Sequence, residues 1–289
     1  MSKGEWRTTF GLIAAATKVL ELEHPMTIRQ LFYRLISTGE IGNCLRDYQR
    51  VSKTMTKARN DGRIDFGWIV DRSRPSYEAA TWENLSQYSE VVISSYRRDN
   101  WQDQPTYVEV WCEKDAVTGS IEQITDKWGV PLRALRGFNS TTNAHQIAVL
   151  FKEKNRLTKR IAVFYLGDWD PSGEAIENDV QKRVQKYGSG PFSITRLAIH
   201  GSDISKFHLP PLQVRGADPR SAGFMSRHGA KAVELDALPP TELRTRIERA
   251  IKGNVHREIW ERALRLEAAQ RETTARVARA LSPPSAVHL

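Results

Sequence analysis

Two cysteines in 289 residues, Cys44 and Cys112, are too few for a disulfide scaffold or a cysteine-rich zinc site. The seven histidines add no metal-ligand spacing to them, and His145 and His208 each stand alone. No uninterrupted apolar run approaches the roughly 18 residues of a membrane span. The opening, Met1–Phe10, lacks the basic-then-apolar layout of a secretory signal. The expectation is a soluble, cytoplasmic protein, at the nucleoid or in a phage-infected cell. There is no Gly-x-Ser-x-Gly elbow, no P-loop and no dinucleotide glycine fingerprint, which disfavours ordinary hydrolases and NTPases. Solenoid-period repeats are absent, and low complexity is confined to Ser282–Ser285.

Charge and apolar content are what the chain does have. Lys and Arg number 43 against 34 Asp and Glu, a formal charge of +9. That favours polyanionic partners, nucleic acid before an acidic membrane surface, and carries no information about fold. With 40% hydrophobic and 27% charged residues the chain can bury a sizeable core. At roughly 150 residues per domain its length suits two domains or one large α/β domain with appendages.

Residues 1–104 read as mostly helical. Trp6, Phe10, Ile13, Thr17 and Leu20 recur at helical spacing up to His24-Pro25. Thr27 with Gln30 is a capping-box pattern that opens a second helix, about 28–38, with Ile28, Leu31, Leu35 and Phe32 inward. In a third, about 45–60, Tyr48, Val51, Met55 and Ala58 share one face, and Arg46, Arg50, Lys53 and Lys57 the opposite one. An apolar back with a basic front suits a helix lying along DNA phosphates, and equally a solvated face. Asp65-Phe66-Gly67 and Ile69-Val70 then allow a small hairpin, completing the outline of a winged-helix DNA-binding domain.

After Pro105 the texture changes. Four β-rich runs, Tyr107–Cys112, Leu132–Leu135, Ile161–Leu166 and Phe192–Ile199, alternate with helical stretches near 116–128, 142–155 and 172–187. Such alternation predicts a parallel sheet with helices packed on it. Beyond it come a loop rich in Gly and Pro and a short strand near Ala232–Leu235. A helix with Leu243, Ile247 and Ile251 inward follows, and a last one carries Val255, Ile259, Ala263 and Leu266. The fold class is therefore α/β, with a winged-helix-like domain over 1–104 and a Rossmann-like domain with C-terminal helices over 105–289.

In open parallel sheets, functional groups gather beyond the carboxyl ends of the strands. Glu113 follows the first strand, and Asp168 and Asp170 the third. Three converging carboxylates repel unless a hard cation lies between them, and Mg²⁺ takes oxygen ligands and bridges to phosphates. The alternative is that Asp170 caps the next helix, with Pro171 at its first position. On the second helix Arg29 and Tyr33 stand four apart, off the predicted buried stripe. Tyr33 is either a packing residue or a nucleophile toward a phosphodiester, with Arg29 steadying the charge on phosphorus.

The stretch 106–199 resembles the Toprim domain of topoisomerases and DnaG-type primases, in Glu113, Gly137 and Asp168-Trp169-Asp170. Asp170-Pro171-Ser172-Gly173 extends the likeness to the topoisomerase VI A subunit and its relative, the meiotic double-strand-break transesterase. Arg29-Gln30-Leu31-Phe32-Tyr33 is similar to that family's tyrosine motif, and Lys231–Leu238 to its pattern before the last helices. The same opening is shared with uncharacterised prokaryotic and phage-type proteins. The family resemblance implies an enzyme that cleaves double-stranded DNA with Mg²⁺ by tyrosine transesterification. Tyr33 and Arg29 would be catalytic and Glu113, Asp168 and Asp170 would hold the metal. It also implies a homodimer in which the tyrosine of one protomer meets the metal site of the other, and a separate ATPase subunit for duplex passage. Two other classes stay open: a Toprim nuclease in which water attacks, and a DNA-binding scaffold without chemistry.

Overall fold

In the computed structural model the described residues are 9–71, 79–135, 140–214 and 219–281. Trp6, Gly137 and Ser282–Ser285 lie outside them. Three helices open the chain, α1 (Thr9–Glu23), α2 (Ile28–Ser37) and α3 (Leu45–Asn60), and each packs on the other two. The inward face of α1 is Leu12, Ala15, Ala16 and Leu20 rather than the line through Phe10, which is 72% exposed. Two alanines let the neighbouring helices approach closely, a gain that a count of large apolar residues does not register.

The capping box of α2 forms as expected, Gln30 N donating to Thr27 Oγ1 at 3.1 Å and Thr27 N to Gln30 Oε1 at 2.9 Å. Leu31, Phe32 and Leu35 are buried as expected and Ile28 is half-buried, while the buried side also takes in Gln30 and Tyr33. Tyr33, expected off the buried stripe, is only 5% exposed. The Phe32 ring lies beside it at 5.5 Å and meets Tyr48 of α3 edge-on at 5.3 Å. On α3 the back is buried through Val51, Met55 and Ala58. Arg46, Lys53 and Lys57 are exposed at the front, and Arg50 is half-buried.

The hairpin expected at 65–70 does not form among the described residues. Asp65 accepts from Gly67 N and sets a 3-10 turn over Phe66–Trp68, after which Ile69 bridges in parallel to Met26.

A further helix, α4 (Leu85–Ser95), precedes the sheet. The sheet is parallel, as predicted, with strands β1 (Thr106–Cys112), β2 (Leu132–Ala134), β3 (Arg160–Leu166) and β4 (Ser193–Ala198) in the order β2-β1-β3-β4. Helices α5 (Asp115–Trp128), α6 (Thr141–Arg156) and α7 (Pro171–Lys186) connect them. Strand alternation sends Ile161, Val163 and Tyr165 into one core with Ala144, Ile147, Ala148 and Phe151 of α6 and Val180 and Val184 of α7.

The remainder contains α8 (Gly201–Lys206), the antiparallel pair β5 (Leu212–Gln213) and β6 (Lys231–Ala232), and α9 (Ser221–His228). The strand expected near 232–235 stops at Ala232. Leu235–Ala237 instead turns as a 3-10 helix, because Leu235 N is taken by the Asp168 carboxylate at 2.7 Å. Then α10 (Pro240–Lys252) buries Leu243, Ile247 and Ile251 as predicted. In α11 (Arg257–Leu281) Ala263 is buried, whereas Leu266 is 39% exposed. No described helix is long and apolar enough to cross a membrane.

Two compact units result, and they cut the chain differently from the expected 1–104 and 105–289. One comprises Met1–Arg74 with Tyr107–Gly253, the other Pro75–Thr106 with Asn254–Leu289. The first is joined because α2 packs on the 3-10 turn at Leu235–Ala237. In the second, α4 packs along α11, and Trp101 meets Trp260 edge-on at 5.5 Å.

One charged residue lies wholly inside the sheet. Glu109 is 0% exposed and accepts from Arg133 Nε and Nη2, Tyr107 OH and Trp111 Nε1, all at 2.7–2.9 Å. Removing Arg133 leaves that carboxylate uncompensated. Arg133→Ala is therefore expected to cost about 3–5 kcal/mol, read as a lower midpoint in urea titration. Glu109→Gln with Arg133→Met together should cost less than Arg133→Ala alone.

Candidate active site

In the order β2-β1-β3-β4 the chain steps outward in opposite directions from β1 and β3, leaving a crevice between their carboxyl ends. Glu113 is the first residue past β1, and its N donates to Leu166 O at 2.9 Å. Asp168 stands two residues past β3 and donates its own N to Glu113 Oε2 at 3.1 Å. Asp168 Oδ1 accepts from Leu235 N and pairs with Lys114 Nζ at 3.1 Å. Asp170 caps α7, accepting from Gly173 N at 2.6 Å, with Pro171 at the first helical position. The capping role and a place beside the other two acids hold together. Among the described residues no hydrogen bond reaches Glu113 Oε1, Asp168 Oδ2 or Asp170 Oδ2, so each carboxylate keeps one oxygen free.

Gly173 makes this closeness possible. A Cβ there would stand 2.4 Å from Asp168 O and 3.2 Å from Glu113 Oε2. The glycine of the Asp170-Pro171-Ser172-Gly173 run thus leaves room for α7 to press against both acids.

Crowding shows in the proton affinities. Burial and then the charge of Asp168 push Glu113 up to about 7, with Asp170 adding to the effect. Burial raises Asp168 as well, against the pull of Lys114. No three acidic, histidine or cysteine side chains converge into a ready-made metal cage among the described residues.

A second group of charges, missed from sequence, connects this crevice to α2. Lys114 Nζ contacts Asp236 Oδ2 at 2.8 Å and Glu234 Oε2 at 3.3 Å, besides Asp168. Glu234 Oε1 accepts from Arg29 Nη2 at 2.6 Å. Despite burial, Lys114 and Arg29 hold the Glu234 carboxyl below its ordinary range. Burial pushes the Tyr33 phenol up to about 12, the charge of Glu234 adds to this, and Arg29 opposes it. The signals were Lys114 directly after Glu113 and the alternating acids of Glu234-Leu235-Asp236. Neither shows that it pairs.

Cavities open on both sides. A cleft of about 1030 Å³ is lined by Asp170, Ser172, Gln213, Arg220 and Glu234. A pocket of about 330 Å³ lies against Arg29, Phe32, Tyr33, Cys44 and Tyr48. Arg29 and Tyr33 are thus brought together, as are Glu113 and Asp168, with Asp170 near enough for its charge to act on both acids. Arg46, Arg50, Lys53 and Lys57 line neither cavity. Comparison with family models, with curated proteins and with solved structures found no match.

The raised Glu113 predicts a pH effect of definite sign. A carboxyl titrating near 7 folded and near 4.5 unfolded contributes stability that is complete below about 4.5 and lost as pH rises through 7. Without divalent cations, wild type should lose about 2–3 kcal/mol relative to Glu113→Gln between pH 4.5 and 8. Urea titrations of both proteins at the two pH values measure the difference, and parallel curves would show that Glu113 is not crowded.

Proposed function

We propose that this chain cleaves DNA with the help of a divalent cation, Tyr33 attacking a phosphodiester and Arg29 stabilising the charge that develops. The observation that carries the reading is the unbroken series Arg29, Glu234, Lys114, Asp168, which links the tyrosine helix to the acids at the sheet crevice within one compact unit. The residues fit Mg²⁺ in a particular way. Three carboxylates with one free oxygen each form a partial ligand set of the kind that waters and substrate phosphates complete, rather than an all-protein cage. Glu113, Asp168 and Asp170 would hold the ion, and its chemistry there would be to neutralise charge on the phosphate.

In the cleavage step the Tyr33 oxygen bonds to phosphorus as its proton passes to water, the P–O3′ bond breaks, and the departing 3′ oxygen takes up a proton from water. The product is a 5′-phosphotyrosyl link and a free 3′-hydroxyl, and the reverse step reseals the strand. The basic front of α3 follows the backbone of double-stranded DNA. A homodimer supplies one Tyr33 per strand, and passage of a second duplex calls for a separate ATPase subunit. A hydrolytic nuclease, in which water attacks in place of Tyr33, is the second reading. It is favoured by a phenol that is 5% exposed and pushed up to about 12.

Denaturant trapping on labelled DNA separates the two. Wild type should yield protein joined to a 5′ end. Tyr33→Phe should lose both cleavage and adduct while its stability changes by about 1 kcal/mol or less. Wild-type cutting by Tyr33→Phe would establish the hydrolytic reading instead. For DNA binding, log K should fall with log[salt] by about 0.9 per neutralised phosphate. Changing Arg46, Arg50, Lys53 and Lys57 to Gln should flatten that slope by about three to four units. An unaltered slope would make the front of α3 a solvated face.

A further inference from the structure

Lys114 and Glu234 stand where the two halves of the site meet. The Lys114 ammonium has three N–H donors and faces three carboxylates, Asp236 at 2.8 Å, Asp168 at 3.1 Å and Glu234 at 3.3 Å. Glu234 divides its charge, Oε2 toward Lys114 and Oε1 toward Arg29 at 2.6 Å. The exposures differ along this series. The Asp236 side chain is 1% exposed, Glu234 19%, Lys114 25% and Arg29 50%. Asp236 is thus a fixed anchor, and Arg29 has room to turn outward.

From this geometry we infer that Glu234 is a positioning residue that docks Arg29 while Asp168 holds Lys114. It frees Arg29 for a phosphate when a divalent cation arrives at Asp168. The inference rests on the proposed cation site and adds its coupling to the tyrosine helix. A dication held by Glu113, Asp168 and Asp170 would repel the Lys114 ammonium, which lies 3.1 Å from an Asp168 oxygen. The Lys114 contact with most room to shorten is the longest, that to Glu234. As Lys114 takes up more of the Glu234 charge, the hold on Arg29 weakens. The arginine is released beside Tyr33, and only once the cation is present. A purely structural ion pair would be indifferent to the cation.

The test needs no DNA and no cleavage. The full chain is treated with an arginine-directed dicarbonyl reagent, with and without Mg²⁺ at matched ionic strength, and labelling of each arginine is followed by peptide mass mapping. Arg257, paired with Glu261 at 2.7 Å, controls for general screening. Mg²⁺ should speed labelling of Arg29 by about two- to fivefold, the change in population expected on losing a half-exposed ion pair. Arg257 should not respond. In Glu234→Gln, Arg29 should label fast under both conditions, and Glu234→Asp should restore part of the cation response. Two results overturn the inference while leaving the cation site intact. One is a wild-type melting temperature raised by Mg²⁺ with Arg29 labelling unchanged, and the other is a Glu234→Gln protein that keeps the full response. If Mg²⁺ alters neither melting nor labelling, the cation site fails and the coupling fails with it. Should Glu234→Gln not fold, the wild-type comparison still decides.

Discussion

The ammonium of Lys114 is the contact on which the arrangement depends. Asp236 is buried to 1% exposure and Asp168 to 8%, and burying such polar groups is costly unless partners meet them. Lys114 is that partner, supplied from the residue next to Glu113, at the end of β1 and the start of α5. The same contact holds the 234–236 segment against the sheet crevice, where Leu235 N bonds Asp168 and Val233 pairs with Trp169 through the backbone. Because α2 packs on that segment, the position of Tyr33 relative to the acids follows from a side chain that belongs to neither group.

Two acidic clusters in one sheet show what distinguishes architecture from chemistry. At Glu109, four donors occupy both carboxylate oxygens, and Arg133 grips it in a fork. Nothing further can bind, and the group serves the packing of β1 on β2. At Glu113, Asp168 and Asp170 the protein uses one oxygen of each acid to fix its orientation and leaves the other free. Burial and mutual repulsion then raise the proton affinity of Glu113 instead of being cancelled. A buried charge cluster is poor value as a source of stability. The cluster lies at a topological switch point, where open α/β sheets place their ligands.

The α/β portion was legible because its signals are local and repeated. Apolar runs and helical periods alternate, and the four strands and three connecting helices form within a residue or so of the expected places. Asp170 and Pro171 likewise announce the start of α7 by chemistry that acts over three residues. The N-terminal helices were read less well, for physical reasons. The closeness of α1 to its neighbours comes from Ala15 and Ala16, which carry little weight in a hydrophobic pattern. The turn at Phe66–Trp68 depends on one Asp65 side-chain bond that diverts the backbone from a hairpin. Tyr33 is buried beside Phe32, whose ring meets Tyr48 of α3, and no spacing on α2 reveals that packing. The charge series was the least accessible feature, since Arg29 and Glu234 are 205 residues apart. Opposite charges that far apart have no period to detect, and only the packing of α2 on Leu235–Ala237 brings them together.

On the proposed cleavage reading, the electrostatic state of Tyr33 bears on how the site would avoid untimely chemistry. A phenol of pKa about 12 is ionised in only about one molecule in 10⁵ at neutral pH, so it is a weak nucleophile as it stands. Burial sets much of that value, and the charge of Glu234 contributes to it. Arg29 is the group that opposes the rise, yet Glu234 takes part of its charge at 2.6 Å. On the proposed reading, Arg29 charge freed from Glu234 would ease the loss of the phenol proton, while burial, the larger cause of the raised value, remains. A phosphate arriving at Arg29 would compete with Glu234 for the guanidinium and bring that charge to the reacting centre. On the proposed reading the arrangement would be a resting state, in which Glu234 holds Arg29 until the cation loosens that pair and a phosphate takes the guanidinium.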